Sequence, residues 1–190
     1  MGTSSNGVFI YDLNKNTLYH ILNNPDNQKS LSDNSINYIF KDHSENLWIA
    51  TNKGVSRYND EKDRFLRFRH EAGNPNSISE NNITALIEDH ENNIWIGTLR
   101  NGLNKYNRKT GKITPYNKEN STLSSNRVSY LLLDSKNDLY VGLMAGIGFD
   151  RYDFNTNSFQ RFVYKKNSTR KDWYRHFLED SNGNLWVALW

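Results

Sequence analysis

Residues 42–58 read DHSENLWIATNKGVSRY: a polar, turn-forming cluster, the apolar run Leu47-Trp48-Ile49, then Gly54 opening a stretch that ends on Tyr58. The same order of residues returns as Asp89 with Ile94-Trp95-Ile96, as Asp134 with Leu139-Tyr140-Val141, and as Asp180 with Leu185-Trp186-Val187. The aspartates step by 47, 45 and 46 residues, and in each copy the aromatic follows its Asp by six. A period in the mid-forties with strand-type patterning inside each unit marks a β-propeller array. The expected fold class is therefore all-β, with four blade-equivalents of four antiparallel strands.

The second copy shows how one unit folds. Ile83–Glu88 is apolar on both faces, as an innermost strand between neighbouring blades must be. Asp89-His90-Glu91-Asn92-Asn93 closes a hairpin, because Asp and Asn side chains bond their own following backbone. Ile94–Thr98 forms a second strand in which Gly97, Ala50 in the preceding copy, lets an adjacent sheet approach. Leu103–Asn107 alternates as a third strand. Lys112–Tyr116 is a short fourth strand whose Pro115 places it at an edge, since proline cannot donate to a ladder.

One aromatic per blade also recurs in the third strand: Tyr11, Tyr58, Tyr106 and Tyr152. A stacking ladder for a ligand is one reading. Packing between sheets is the stronger one, and it extends to Trp48, Trp95, Tyr140 and Trp186. All of these are expected in the core.

Composition sets the outer limits. The chain is hydrophilic on average, yet 13% of its 190 residues are aromatic, which opposes disorder. The net charge of +3 is mild, and no concentrated basic stripe of the kind nucleic acid requires runs through the repeats. There is no cysteine, so disulfides, thiolate metal sites and thiol nucleophiles are excluded. The longest uncharged apolar stretch, Leu139–Phe149, falls short of the roughly 20 residues that span a bilayer. The first residues, MGTSSNGVF, lack the basic and apolar regions of a secretion signal.

The repeats divide residues 1–190 into the end of a blade (1–30), full repeats at 31–77, 78–122 and 123–168, and the start of a blade (169–190). Gly2-Thr3 aligns with Gly97-Thr98, so the strand count is two, three sets of four, then two. A fragment of a larger, seven-bladed propeller is the expectation. A closed four-bladed ring and pairing between open arcs, which unpaired edges invite, remain open alternatives.

The unit Ser-Leu/Ile-Ser-x-Asn…Asp-x-x-x-Asn-Leu/Ile-Trp-Ile/Val-Gly-Thr…Gly-x-x-x-Tyr resembles the two-component regulator propeller repeat. Leu31–Tyr58 and Ile78–Tyr106 carry it, the first with Ala50 at the Gly position. Leu123–Tyr152 departs at Tyr140 and Leu143, and Thr169–Trp190 lacks the Leu-Ser-x-Asn entry. The resemblance implies the periplasmic sensor region of a hybrid two-component histidine kinase of Bacteroides type. In such receptors two seven-bladed propellers precede a β-sandwich, a membrane span, a kinase and a response regulator, and the signal is generally an oligosaccharide. It therefore implies a non-catalytic module that binds carbohydrate or mediates receptor assembly, with periplasmic localisation. A propeller enzyme of the streptogramin-lyase type and a general protein-interaction scaffold are the alternatives.

No catalytic constellation emerges. Asp42, Asp89, Asp134 and Asp180 occupy hairpin turns, a structural duty. Asp180-Ser181-Asn182-Gly183-Asn184 lacks the spaced acids and closing Glu of a calcium loop. His20, His43, His70, His90 and His176 show no helical zinc spacing, and no nucleophile elbow or phosphate loop occurs. Neither a metal nor a cofactor is expected. Only Glu80 and His176 come near the His and carboxylate of a lyase, and they belong to different blade entries.

Binding residues are sought in the loops that enter the innermost strands and join second to third strands, because loops on a rigid scaffold carry function. Candidate ligand-binding residues are Arg100, Arg127, Arg170, Lys171, Trp173 and Arg175. The last four lie in Thr169–His176, where cations and aromatics replace the small polar residues of the other entries. Aromatic faces stack on sugars, and Arg or Lys pairs with anionic groups. The competing reading has Trp173 and Tyr174 filling the core while the cations snorkel to water.

Overall fold

A computed structural model of the chain describes residues 1–59, 64–144, 148–163 and 173–189. Sixteen strands follow in order: β1 (Val8–Asp12), β2 (Thr17–Ile21), β3 (Ile36–Lys41), β4 (Leu47–Thr51), β5 (Gly54–Asn59), β6 (Arg64–Phe68), β7 (Ile83–Glu88), β8 (Ile94–Thr98), β9 (Leu103–Tyr106), β10 (Ile113–Tyr116), β11 (Val128–Leu133), β12 (Leu139–Leu143), β13 (Phe149–Asp153), β14 (Ser158–Phe162), β15 (Tyr174–Glu179) and β16 (Leu185–Leu189). Strands pair with their sequence neighbours, giving three four-stranded sheets, β3–β6, β7–β10 and β11–β14, and two-stranded sheets β1–β2 and β15–β16. The expected all-β, bladed architecture is observed, and Pro115 lies on β10, at the edge of its sheet. Among the described residues no helix is long and apolar enough to cross a membrane.

The chain forms two compact units, Met1–Ile83 and Thr84–Trp190. The first buries Val8, Leu31, Ile49 and Phe65 together. The second has a larger core, in which Trp95, Leu103, Leu123, Val128, Leu131, Val141, Tyr152 and Phe159 meet. Leu31, Ile78 and Leu123, the apolar residue of each blade entry, are all buried.

The conserved-looking Asp of each repeat is a hairpin clamp. Asp89 Oδ1 accepts from the backbone N–H groups of Glu91 and Asn93, each at 2.9 Å, and Asp89 Oδ2 accepts from the Trp95 indole at 2.7 Å. Asp42 does the same for Ser44, Asn46 and Trp48, and Asp180 for Asn182, Asn184 and Trp186. The turn's fourth residue has positive φ in every copy: Glu45, Asn92, Asn137 and Gly183. Where Tyr140 replaces Trp, burial first and then the charge of Asp134 push its hydroxyl above the ordinary value.

Blades are joined through the Asn of the entry. Gly54 N–H donates to Asn81 O at 2.7 Å, and Gly102 N–H to Asn126 O at 2.8 Å. The Asn side chain reaches back as well: Asn81 Oδ1 accepts from His70 N–H at 2.7 Å and Asn126 Oδ1 from Lys118 N–H at 2.8 Å. Glycine is required at 54 and 102 for two reasons. Each has positive φ, and a Cβ would run into a backbone carbonyl, that of Phe68 or Tyr116, at the end of the paired fourth strand.

A second joint comes from the start of the innermost strands, where the register shifts at Asn37, Ser129 and Arg175. Bulges of this type re-aim a side chain. Asn37 Nδ2 donates to Ile83 O at 2.8 Å, Thr84 Oγ1 to Val128 O at 2.9 Å, and Ser129 Oγ to Tyr174 O. These links explain why small polar residues recur at this place.

Two expectations about the core are corrected. Trp48 and Trp95 are fully buried, but Trp186 is 63% exposed. Trp48 is covered by Phe68 of β6, at a ring separation of 5.4 Å, and by the Arg57 guanidinium of β5 at 5.6 Å. Among the described residues the sheet β15–β16 has two strands, and neither covers Trp186 in this way. Tyr152 is likewise buried, against Trp95, Tyr116 and Phe159, whereas Tyr11 is 53% exposed. Tyr152 draws its cover from the Trp-bearing sheet that precedes it in the chain.

Candidate functional site

The loops entering the innermost strands lie beside the turns between second and third strands. In the first unit they form a closed polar network. The Lys53 ammonium pairs with Asp33 at 3.0 Å, Asn52 Nδ2 donates to Ser35 Oγ at 2.8 Å, and Asn37 Nδ2 donates to Asn52 Oδ1 at 2.9 Å. These groups satisfy one another, which holds the loops in place.

In the second unit Arg100 is exposed on the β8–β9 turn and Arg127 is exposed at the entry to β11. Gly102 N–H donates to Asn126 O, and Met144 N–H donates to Arg127 O at 2.8 Å. Backbone bonds therefore join the segments that carry Arg100 and Arg127. Trp173 and Arg175 are brought together directly, with the guanidinium 5.9 Å from the ring centroid. Arg170 and Lys171 lie outside the described residues.

The structure separates the two aromatics of the fourth entry. Tyr174 is 2% exposed and packs against Phe149 and Phe177, so it is core. Trp173 is half-buried, and Arg175 is exposed at the bulge position. The next inward-strand residue, His176, lies 4.6 Å from Tyr130 with the rings tilted by 33°, its Nε2 3.2 Å from the Tyr130 hydroxyl. The Trp173–Arg175 pair and the His176–Tyr130 pair each offer a flat ring beside a hydrogen-bonding edge, the chemistry that holds a sugar face. Among the described residues no group of three His, Asp or Glu side chains is arranged to hold a metal.

A second feature lies against β5, β6 and the 27–31 segment. A pocket of about 430 Å³ in the first unit is lined by Lys29, Arg57, Arg67, Arg69 and Glu71, with Gln28, Phe65 and Leu66. Its signal in the sequence is the alternation Arg67-Phe68-Arg69 at the end of an edge strand, together with Arg57 on the neighbouring β5. Arg67 is committed to structure. Its Nε donates to Ser30 O at 2.7 Å and its Nη2 to Asn27 O, Ser30 Oγ and Leu31 O, pinning the 27–31 loop along β6. Burial first, and then the charge of Arg69, push the Arg67 guanidinium below its ordinary value.

Comparison with known proteins agrees with this geometry. The family model described as two component regulator propeller matches residues 30–53 and 77–100. These are the entry, hairpin and second strand of two blades. A search of the curated proteins finds no match. Among solved structures, the extracellular domain of a hybrid two-component system from B. thetaiotaomicron is 24% identical with a TM-score of 0.79, over 98% of this chain and 28% of that one. A second such extracellular domain from the same organism is 21% identical with a TM-score of 0.79, over 99% and 26%. Virginiamycin B lyase from Staphylococcus aureus is 14% identical with a TM-score of 0.72, over 96% and 56%. Residues 30–53 and 77–100 match the two-component regulator propeller repeat, and the chain has the propeller fold of these proteins. It spans about a quarter of the length of the two-component domains.

Proposed function

We propose that the chain is a segment of the extracytoplasmic sensor region of a two-component signalling receptor, located in the periplasm, which binds a saccharide without transforming it. The observation that carries this reading is the coincidence of the repeat match with a fold likeness covering nearly the whole chain. That these similar proteins are extracellular domains supports the location. Trp173, Arg175, Arg100 and Arg127 are the residues proposed to meet the ligand, joined by Arg170 and Lys171. Carbohydrate binding by such a surface relies on a ring platform with cations beside it, and Trp173 with Arg175 provides that pairing. The remaining blades of a larger propeller are the proposed structural partner.

Calorimetry of the chain against a panel of neutral and acidic oligosaccharides, with analysis of the recovered sugar, tests the proposal. The expected result is saturable binding of a subset with no new product. The Trp173→Ala/Arg175→Ala variant should weaken that binding at least about tenfold, the loss of one stacking and one charged contact. Turnover of any panel member, or binding unaffected in the folded double variant, would overturn the assignment.

A further inference from the structure

We infer that the pocket bordered by Lys29, Arg57, Arg67 and Arg69 on the β3–β6 sheet is an oxyanion-binding site, recognising a sulfate or carboxylate group. The inference stands on the geometry of this sheet and does not depend on the receptor reading.

The repeat supplies its own control. The third residue after the third-strand glycine is a cation in each four-stranded sheet: Arg57, Lys105 and Arg151. Lys105 lies 5.4 Å from the Trp95 ring centroid and pairs with Glu91 at 3.4 Å. Arg151 pairs with Asp138 at 3.3 Å. Arg57 sits over Trp48 in the same manner but makes no ion pair or hydrogen bond among the described residues. The sequence explains the difference: Ser44 stands where β7–β10 has Glu91, and Asn46 where β11–β14 has Asp138.

Arg69 is similarly under-used. Its Nη2 donates to Ser32 O at 2.9 Å, while its Nε is buried without a partner. Buried donors left unmatched are unusual in folded proteins and ask for an explanation. Among the described residues four cations therefore border the pocket against one carboxylate, Glu71, which accepts from Asn74 Nδ2 at 2.8 Å. Guanidinium groups bind carboxylate and sulfate through paired N–H donors, and the pocket's volume accommodates such a group together with the ring that carries it. Arg67 acts as a positioning residue, because its donors are spent on the 27–31 loop.

The test is titration of the 190-residue chain with sodium sulfate and, separately, with sodium glucuronate, following Trp fluorescence and calorimetric heat at constant ionic strength. Saturable binding of at least one of them is expected, with the two arms showing which oxyanion is preferred. Ser44→Glu restores the counter-charge found in β7–β10 on an exposed turn without touching the pocket, and should weaken binding at least about tenfold. Arg69→Gln should do the same. A melting profile confirms that both variants are folded. Absence of saturable binding of either anion, or affinity unchanged in both folded variants, would overturn the inference.

Discussion

The hairpin aspartates show how one carboxylate can organise a repeat. Asp89 is fully buried and satisfied by two backbone N–H groups, an Asn side chain and an indole. Replacing it with Ala strands those donors, three of them in the buried interior. Hydrogen bonds to charged groups contribute more than neutral ones, so Asp89→Ala should cost about 3 kcal/mol in urea unfolding of the chain. Asp150 presents the opposite case. It stands where the other sheets have Ser56 and Asn104, is fully buried, accepts from Ser124 N–H at 2.6 Å through Oδ2, and has an unpartnered Oδ1. Burial pushes its carboxyl above the ordinary value of 3.8. A carboxyl raised in the folded state holds its proton more firmly there, so its contribution to stability falls as pH rises from 3.8 through the folded value. Asp150→Asn should therefore stabilise the chain by about 1 kcal/mol near pH 7, and the gain should vanish near pH 3. Thermal melts at the two pH values check this, and an equal gain at both would refute it. Asp180 has the contrary sign, since the Trp186 and Asn184 donors hold its carboxyl below 3.8. Its contribution is present above 3.8 and is lost only as pH falls through the lower folded value.

At the scale of the strand and turn, the same residue type does unlike work according to its surroundings. Gly102 and Gly111 both have positive φ, but a Cβ on Gly102 meets the Tyr116 carbonyl while one on Gly111 meets nothing within 4 Å. Gly111→Ala should cost about 1 kcal/mol, the left-handed penalty alone. Gly102→Ala adds a backbone collision beside a blade joint and should cost at least about 3 kcal/mol. Equal losses for the two variants in denaturant titrations would show that the close approach is not felt. These elements were legible in the sequence because the period repeats them: strand bounds at Ile83–Glu88 and Ile94–Thr98 coincide with the observed ones. The arginine pocket was not. Its lining joins the paired strands β5 and β6 to the 27–31 loop, which is distant from them in sequence, and its distinctive feature is an acid missing at Ser44. The candidate loop site was legible in part. Trp173 and Tyr174 look alike in sequence, and only the bulge at the start of β15 decides which one turns into the core.

For the molecule as a whole, repetition does not make equivalent positions equal, because burial depends on how many strands each sheet contains. The tryptophan position illustrates this. Trp48 and Trp95 are fully covered within four-stranded sheets, whereas on β15–β16 Trp186, Leu178 and Leu189 are 63%, 57% and 41% exposed. Apolar side chains on a two-stranded sheet with an unpaired edge favour association with other strands. The 190-residue chain should accordingly show a sedimentation coefficient that rises with concentration. Trp186→Ser should reduce that rise while changing stability by no more than about 0.5 kcal/mol, as befits an exposed position. Trp48→Ala, at the same place in the repeat, should instead cost about 3–5 kcal/mol through lost burial and the cavity left behind. Sedimentation velocity across a concentration series, paired with urea melts of both variants, measures the two effects separately. If Trp186→Ser sediments like the parent chain at every concentration, the exposed sheet is not what drives association. If Trp48→Ala melts like the parent, the covered tryptophans do not hold the blades.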